Sequence, residues 1–381
     1  MNINKVIKSA NIIEKILLKN DQTKMIYRYQ PNCELQLGKR NLYPNLNFAS
    51  SKKSNNQMNS KNFKIMITIL SYADGKHNIY DIERLTKFKL EEINKVLNFL
   101  IKKKTYIFEN MKFLLITGDH PRHMFMADVL CKNNFSFDWI IEKRENHIPA
   151  INKKYNSNIR RLFQHHFKKR YNVEKKFFGN KPGQIALKEI KNIKRVMPKN
   201  LNKYIFNSVE KMNKKNLITY GCGLIENKIL KLFNGYKLNI HAGLSPRYRG
   251  AAAHFWPTYL MEPEYTGVTL HQITDAIDGG DIFHQTSIKI YKNFGIHDNG
   301  CLAIKNFSTE LPKVLKFIFY AKKKIKGIKQ IKSGRIWTEQ MWTPLTLKMV
   351  YILYNDRINN YCLKNKKIKK VKLKSVLRAR F

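Results

Sequence analysis

The chain has 381 residues, of which 43% are hydrophobic, and a formal net charge of +45 from 72 Lys and Arg against 27 Asp and Glu. This length predicts two or more units with a sizeable core. No apolar run reaches the roughly 18 residues of a membrane-spanning helix, and the N-terminal segment lacks the apolar stretch of a signal peptide. We therefore expect a cytoplasmic protein without a transmembrane segment.

The positive charge has two readings. Lys, Asn and Ile are enriched along the whole chain, and such a compositional bias raises the net charge without building a binding groove. The alternative is a polyanion or anionic membrane surface as partner, and an anionic small substrate would also benefit from the positive field.

The cysteines predict neither a disulfide framework nor a metal site, because they are odd in number and contain no C-x-x-C pair. They are Cys33, Cys131, Cys222, Cys301 and Cys362. No other set of residues points to a metal.

The N-terminal third divides into two parts. Residues 1–60 are predicted to be poorly structured and to end in a polar linker rich in Ser, Asn and Lys. Apolar residues at helical spacing in 61–104 and a strand at 105–108 predict a small, mainly helical module over 61–110. This order of elements resembles a winged helix, and GKRNLYPNL with LSYADGKHNIYDIERLT resembles the winged-helix tail of an aminopeptidase-like bacterial family. Packing, dimerisation or DNA binding by its third helix are the open roles.

Residues 111–320 are predicted to form an α/β domain with an open, mostly parallel sheet. A buried strand at 113–116, a helix from Pro121 and a strand at 137–145 form a βαβ unit. Residues 155–180 predict a basic amphipathic helix that lies on the surface or contacts substrate, and residues 321–381 a basic C-terminal extension, helical at its end.

Asn239 and His241 are the first candidates for catalysis. Leu238 to His241 end a predicted strand, so the two side chains point to the same face. Ligands of open parallel sheets bind beyond the carboxyl ends of the strands. An amide donor could stabilise a developing oxyanion, and an imidazole could stabilise it and move a proton.

Asp278 is the third candidate, because it lies in a loop whose glycines allow the backbone to approach a ligand. A carboxylate here could raise the pKa of His241 and order a water for proton transfer. Together the three side chains suit acyl transfer to an amine, which needs no serine or cysteine nucleophile because the amine itself attacks.

NIHAGLSPRYRG followed by GVTLHQITDAIDGGDIF resembles the formyltransferase signature N-x-H-x-x-x-L-P-x-x-x-G with its downstream D-x-G-D partner. The resemblance covers about 111–320 and implies a Rossmann-like sheet, 10-formyltetrahydrofolate as donor, and catalytic roles for Asn239, His241 and Asp278. The chain departs from the usual S-L-L-P at 243–246, while Pro246 and Gly250 keep their places.

The same resemblance implies two further groups of site residues. Backbone groups of two loops would bind the folate: Gly221, Cys222, Gly223, Leu224, Ile225, Thr274, Asp275, Ala276 and Ile277. Five residues of the catalytic loop would bind the acceptor, with the two arginines pairing with an anionic group: Ser245, Pro246, Arg247, Arg249 and Gly250.

The acceptor has three open readings. The leading one is an amine on a nucleotide sugar for surface polysaccharide synthesis, because GLSPRYRGAAAHFWP resembles formyltransferase-like proteins of that kind. The second is a charged initiator tRNA, which the positive charge favours and the order of domains opposes. The third is a non-catalytic protein that binds nucleic acid or membrane. A homodimer is left open.

Overall fold

A computed structural model describes residues 60–72, 79–93, 95–96, 113–133, 135–212, 216–319, 321, 324–330 and 334–378. The chain divides into two compact units, 1–111 with 316–324, and 112–315 with 325–381. No described helix is long and apolar enough to cross a membrane.

The first unit contains helices Ser60–Tyr72 and Ile79–Leu85, with further helical residues at 90–93 and 95–96. Their apolar faces are buried, including Ile65, Ile69 and Ile82. The predicted segment 1–59 and the predicted strand at 105–108 lie outside the described residues.

The second unit is built on a seven-stranded sheet of order β3-β2-β1-β4-β5-β7-β8 and a two-stranded sheet of β6 and β9. The strands are β1 Phe113–Gly118, β2 Phe137–Glu142, β3 Ile193–Val196, β4 Asn216–Tyr220, β5 Lys237–His241, β6 Tyr248–Gly250, β7 Gly267–Gln272, β8 Ile282–Ser287 and β9 Arg335–Trp337. The α-helices are α1 Pro121–Lys132, α2 Ser157–Phe178, α3 Gln184–Glu189, α4 Leu201–Met212, α5 Asn227–Leu230, α6 Phe255–Tyr259, α7 Ile296–Phe319 and α8 Ile358–Lys364.

The parallel part of the sheet is buried on both faces. Every residue of β1, β2 and β4 is buried, as expected for strands covered by helices. β1 pairs in parallel with β2 and β4, and β4 pairs in parallel with β5. The predicted open, mostly parallel Rossmann-like α/β sheet is thus confirmed.

β7 and β8 extend the sheet in the antiparallel sense. Asn239 and His241 of β5 face His271 and Thr269 of β7. The loop from β7 to β8 therefore begins beside Leu238, near the start of β5, and Asp278 within this loop contacts Asn239 and His241.

The C-terminal residues pack onto the second unit. β9 pairs in parallel with β6, and the ring of Trp337 stacks on Trp256 at a centroid distance of 4.3 Å. Ser375 forms an isolated antiparallel bridge with His284 of β8. The prediction of a helix at the basic end is wrong for the segment that follows α8, because residues 367–378 contain no helix. Backbone groups of this segment instead form hydrogen bonds with the sheet.

Candidate active site

The candidate site is a cavity of about 580 Å³ beyond the carboxyl ends of the parallel strands. The strand order reverses between β1 and β4, the point where open α/β sheets bind ligands. Asn239 and His241, from the end of β5, line this cavity with Asp278. The structure therefore brings the three predicted catalytic residues together.

Asn239 is held by its neighbours on three sides. Its Oδ1 accepts a hydrogen bond from Thr219 Oγ1 at 2.8 Å, which orients the amide. Its Nδ2 lies 3.3 Å from Asp278 Oδ1 and 3.2 Å from His271 Nε2. These longer contacts leave the amide hydrogens available to a charged oxygen in the cavity.

The imidazole of His241 lies between the backbone carbonyl of Tyr248 in β6 and the carboxylate of Asp278. Its Nε2 lies 2.8 Å from the carbonyl oxygen of Tyr248, and a carbonyl only accepts, so Nε2 carries the hydrogen. Its Nδ1 lies 3.2 Å from Asp278 Oδ2. The two facing atoms have room for one proton between them.

Burial lowers the pKa of His241, although the charge of Asp278 opposes that shift. The sequence predicted that Asp278 raises this pKa. The carboxylate acts in that direction, but loss of hydration outweighs it because the side chain is only 8% exposed. The net shift is therefore opposite to the prediction, and His241 is neutral in the resting site at neutral pH.

Three neighbouring groups lower the pKa of Asp278. Burial alone would raise its pKa, but His241, His271 and the backbone N–H of Gly250 hold the pKa well below its usual range. The Gly250 N–H donates to Oδ2 at 2.8 Å. Arg249 Nε donates to the Ile277 carbonyl at 2.7 Å and so holds the loop in place.

Residues 168–297, which contain the three central side chains, match the sequence model of the formyl transferase family. The chain carries a formyl transferase domain. Residues 24–105 match a winged helix-turn-helix model, which begins inside the segment predicted as unstructured. The boundaries predicted for the domains remain predictions.

Two curated relatives match part of the chain. Methionyl-tRNA formyltransferase from Buchnera aphidicola is 36% identical over 96 residues, 24% of this chain and 30% of that protein. The bifunctional polymyxin resistance protein ArnA from Wigglesworthia glossinidia is 36% identical over 95 residues, 24% of this chain and 14% of that one. The chain thus spans less than a third of either relative.

A sugar N-formyltransferase structure from a Shewanella species covers 60% of this chain and 78% of its own, with 16% identity and a TM-score of 0.38. Similarity at this level carries no information about the acceptor.

Only two of the residues predicted to bind the folate line the cavity. Gly221 and Cys222 line it. The Gly223 N–H donates to Glu142 Oε2 at 2.8 Å, and the side chain of Ile225 is buried in the core. Leu224 is 85% exposed. The other predicted loop residues, Thr274, Asp275, Ala276 and Ile277, are exposed and do not line this cavity.

Of the five predicted acceptor-binding residues, only Gly250 lines the catalytic cavity. The guanidinium of Arg247 donates to Glu262 at 2.9 Å, and that of Arg249 is turned to the Ile277 carbonyl. Neither arginine is therefore placed to pair with an anion in this cavity. Ser245 is buried, and Pro246 lines a separate cavity of about 370 Å³.

Sequence reasoning missed His271 and Arg170. His271 lies opposite Asn239 and contacts both Asn239 and Asp278. Its signal was present in TLHQITDAID, where strand alternation places a histidine on the face that bears Asn239. Arg170 lies on the helix predicted at 155–180, but the sequence did not place it in the cavity. Helical periodicity shows which residues share a face of the helix and not which other elements pack against that face.

Proposed function

We propose that this chain transfers a formyl group from 10-formyltetrahydrofolate to a primary amine on a small acceptor, with an amino-sugar nucleotide as the leading candidate. The observation that carries the proposal is the convergence of Asn239, His241 and Asp278 in one cavity. An amide donor, an imidazole and a carboxylate at these distances suit acyl transfer to an amine.

Asn239 stabilises the oxyanion that forms when the amine attacks the formyl carbon. Its amide is pre-oriented by Thr219, and the long contacts to Asp278 and His271 exchange for a shorter bond to the charged oxygen. Catalytic hydrogen bonds are commonly long in unliganded sites and shorten with substrate.

The His241–Asp278 pair accepts the proton that the attacking amine loses. His241 Nδ1 and Asp278 Oδ2 face each other at 3.2 Å, so one added proton converts two opposed lone pairs into a hydrogen bond. The protonated imidazole then stabilises the oxyanion. When the bond between the formyl carbon and the donor nitrogen breaks, the proton passes to that nitrogen, which restores the pair.

The donor is proposed to bind along the loops after β4 and β7. Gly221 and Cys222 reach the catalytic cavity from the first loop. Leu224 and Ile277, one on each loop, are 85% and 53% exposed, and exposed apolar side chains suit contact with a flat ring. The backbone of both loops supplies donors and acceptors for the edge of that ring.

A charged initiator tRNA is the second candidate acceptor. The relatives named methionyl-tRNA formyltransferase and the net charge of +45 favour it. Binding of that substrate would fall steeply with salt, because phosphate contacts release counterions.

Release of tetrahydrofolate should be measured with a panel of amino-sugar nucleotides, glycinamide ribonucleotide and charged initiator tRNA. His241→Ala and Asp278→Asn should each reduce the rate by about 100- to 10,000-fold while the fold is retained. His165→Ala, at an exposed histidine outside the cavity, should leave the rate unchanged. Equal rates in all four proteins, or no release with any amine, would refute the proposal.

A further inference from the structure

The catalytic cavity continues from Asn239 and His241 to a wall formed by α2 and by the segment after β9. From α2 it is lined by His166, Phe167 and Arg170, and from the C-terminal segment by Trp342. This wall is formed by other elements than the loops proposed to bind the folate, although Gly221 and Cys222 of the first loop line the same cavity. We therefore consider it as the surface against which the acceptor would lie.

Arg170 forms no ion pair with any residue that the structure describes, although the charges of Glu174 and Glu145 are near enough to raise its pKa. Its Nη2 is buried and has no hydrogen-bond partner. Its guanidinium packs on the ring of Phe167 at 4.6 Å. Burial lowers the pKa of Arg170 to about 10, so the side chain keeps its charge at neutral pH.

The other two arginines of the cavity are neutralised. Arg122 Nη1 lies 2.6 Å from Glu174 Oε1, and Arg144 lies 3.1 Å from Glu142 and 3.5 Å from Glu145. An unpaired buried cation costs free energy unless a ligand supplies the opposite charge. An arriving oxyanion would therefore find its counterion at Arg170.

Phe167, the ring on which Arg170 packs, belongs to an aromatic cluster with Trp342. Trp342 is partly exposed and lies 5.9 Å from the rings of His166 and Phe167 and 5.8 Å from the ring of Phe255. These neighbours fix the indole at the edge of the cavity. A partly exposed, fixed indole suits contact with a planar or cyclic ligand group.

We propose that Arg170 binds a phosphate group of the acceptor and that Trp342 contacts the ring system attached to it, so that the acceptor is a phosphorylated or nucleotide-linked amine. The inference rests on the formyl transfer proposed above. Guanidinium groups bind phosphate in a bidentate manner, and a nucleotide combines phosphate with a ring. Arg170 thereby takes the role that the sequence assigned to Arg247 and Arg249.

The test is direct binding of probes to the full chain by calorimetry, because binding does not require formyl transfer. UDP carries phosphate and a ring, inorganic diphosphate carries phosphate alone, and uridine carries the ring alone. The variants are Arg170→Gln, Arg170→Lys and Trp342→Ala. Arg160→Gln is the matched control, since it removes an exposed arginine of the same helix outside the cavity.

We expect Arg170→Gln to weaken binding of UDP and diphosphate by about 10- to 100-fold and to leave uridine unaffected. Arg170→Lys should lie between the wild type and Arg170→Gln, because it keeps the charge and loses the bidentate geometry. Trp342→Ala should weaken UDP more than diphosphate. Arg160→Gln should bind like the wild type.

Equal UDP binding by the wild type and Arg170→Gln would overturn the inference, as would the absence of UDP and diphosphate binding at millimolar concentration. A CCA-ended RNA hairpin that binds through Arg170 when UDP does not would also overturn it. Formyl transfer without Arg170-dependent UDP binding would leave the proposed function intact. Arg170-dependent UDP binding without transfer to any amine would support this site and refute the proposed function.

Discussion

Acid should destabilise the second unit strongly, because that unit buries several neutral histidines. Burial lowers the pKa of His120 and His254 to about 4 and that of His166 to about 3. A histidine with a lowered folded-state pKa binds fewer protons in the folded than in the unfolded chain. Its stabilising contribution is complete above about pH 6.5 and is lost as the pH falls towards the folded-state value.

The size of the effect follows from these shifts. Between pH 7 and pH 5, each of the three histidines should lower the free energy of unfolding by about 2 kcal/mol, and together by about 6 kcal/mol. His123, His241 and His297 shift in the same direction. A loss of this size is comparable with the whole stability of many domains.

Urea unfolding followed by tryptophan fluorescence measures this unit alone, because all four tryptophans lie within it. They are Trp139, Trp256, Trp337 and Trp342. His166→Gln should remove about 2 kcal/mol of the pH dependence. The neighbouring exposed His165→Gln should leave it unchanged. A change in unfolding free energy below about 1 kcal/mol between pH 7 and pH 5 would refute the reasoning.

Three further predictions concern the loops around Asp278. Arg249→Lys should lower kcat by about tenfold or more, because it removes the Nε–H that holds the Ile277 carbonyl; an unchanged rate in the formyl-transfer assay would contradict this. His271→Ala should lower kcat by about tenfold through Asn239 and Asp278, and His271→Gln, which keeps a hydrogen-bonding side chain at this position, should recover part of that loss; equal rates in the two variants would exclude a positioning role. Gly250→Ala should cost at least about 2 kcal/mol of unfolding free energy, because the residue has φ +87° and an added Cβ would collide with the Trp337 carbonyl. Gly179→Ala is its control, since Gly179 has the same φ with nothing within 4 Å; equal costs for the two variants would contradict a role for the collision.

Local sequence patterns predicted the parallel sheet and the three residues proposed for catalysis. The apolar run at 113–116 predicts a buried parallel strand, because a strand covered on both faces is apolar on both. Strand alternation places Asn239 and His241 on one face. These predictions depend only on residues that are close together in the chain, so they require no knowledge of the fold.

Which charges are paired depends on folding. Arg247 and Arg249 stand beside the catalytic loop in sequence, yet Glu262 and the Ile277 carbonyl occupy their guanidinium groups. Arg170, about 70 residues before the loop in sequence, remains unpaired in the cavity. The pairing of a charge depends on distances between segments that are far apart in the chain, and those distances exist only after folding.

The same reason explains the pKa of His241 and the place of the C-terminal residues. The motif predicted that Asp278 is a partner of His241 and raises its pKa. The loss of hydration lowers that pKa by more, and its size depends on which residues cover the imidazole ring. β9 joins β6, and Trp337 stacks on Trp256, because the second unit leaves an edge and an aromatic face there. Local sequence thus predicts which chemical groups the site contains, whereas packing sets their burial, their charge pairing and the shape of the cavity.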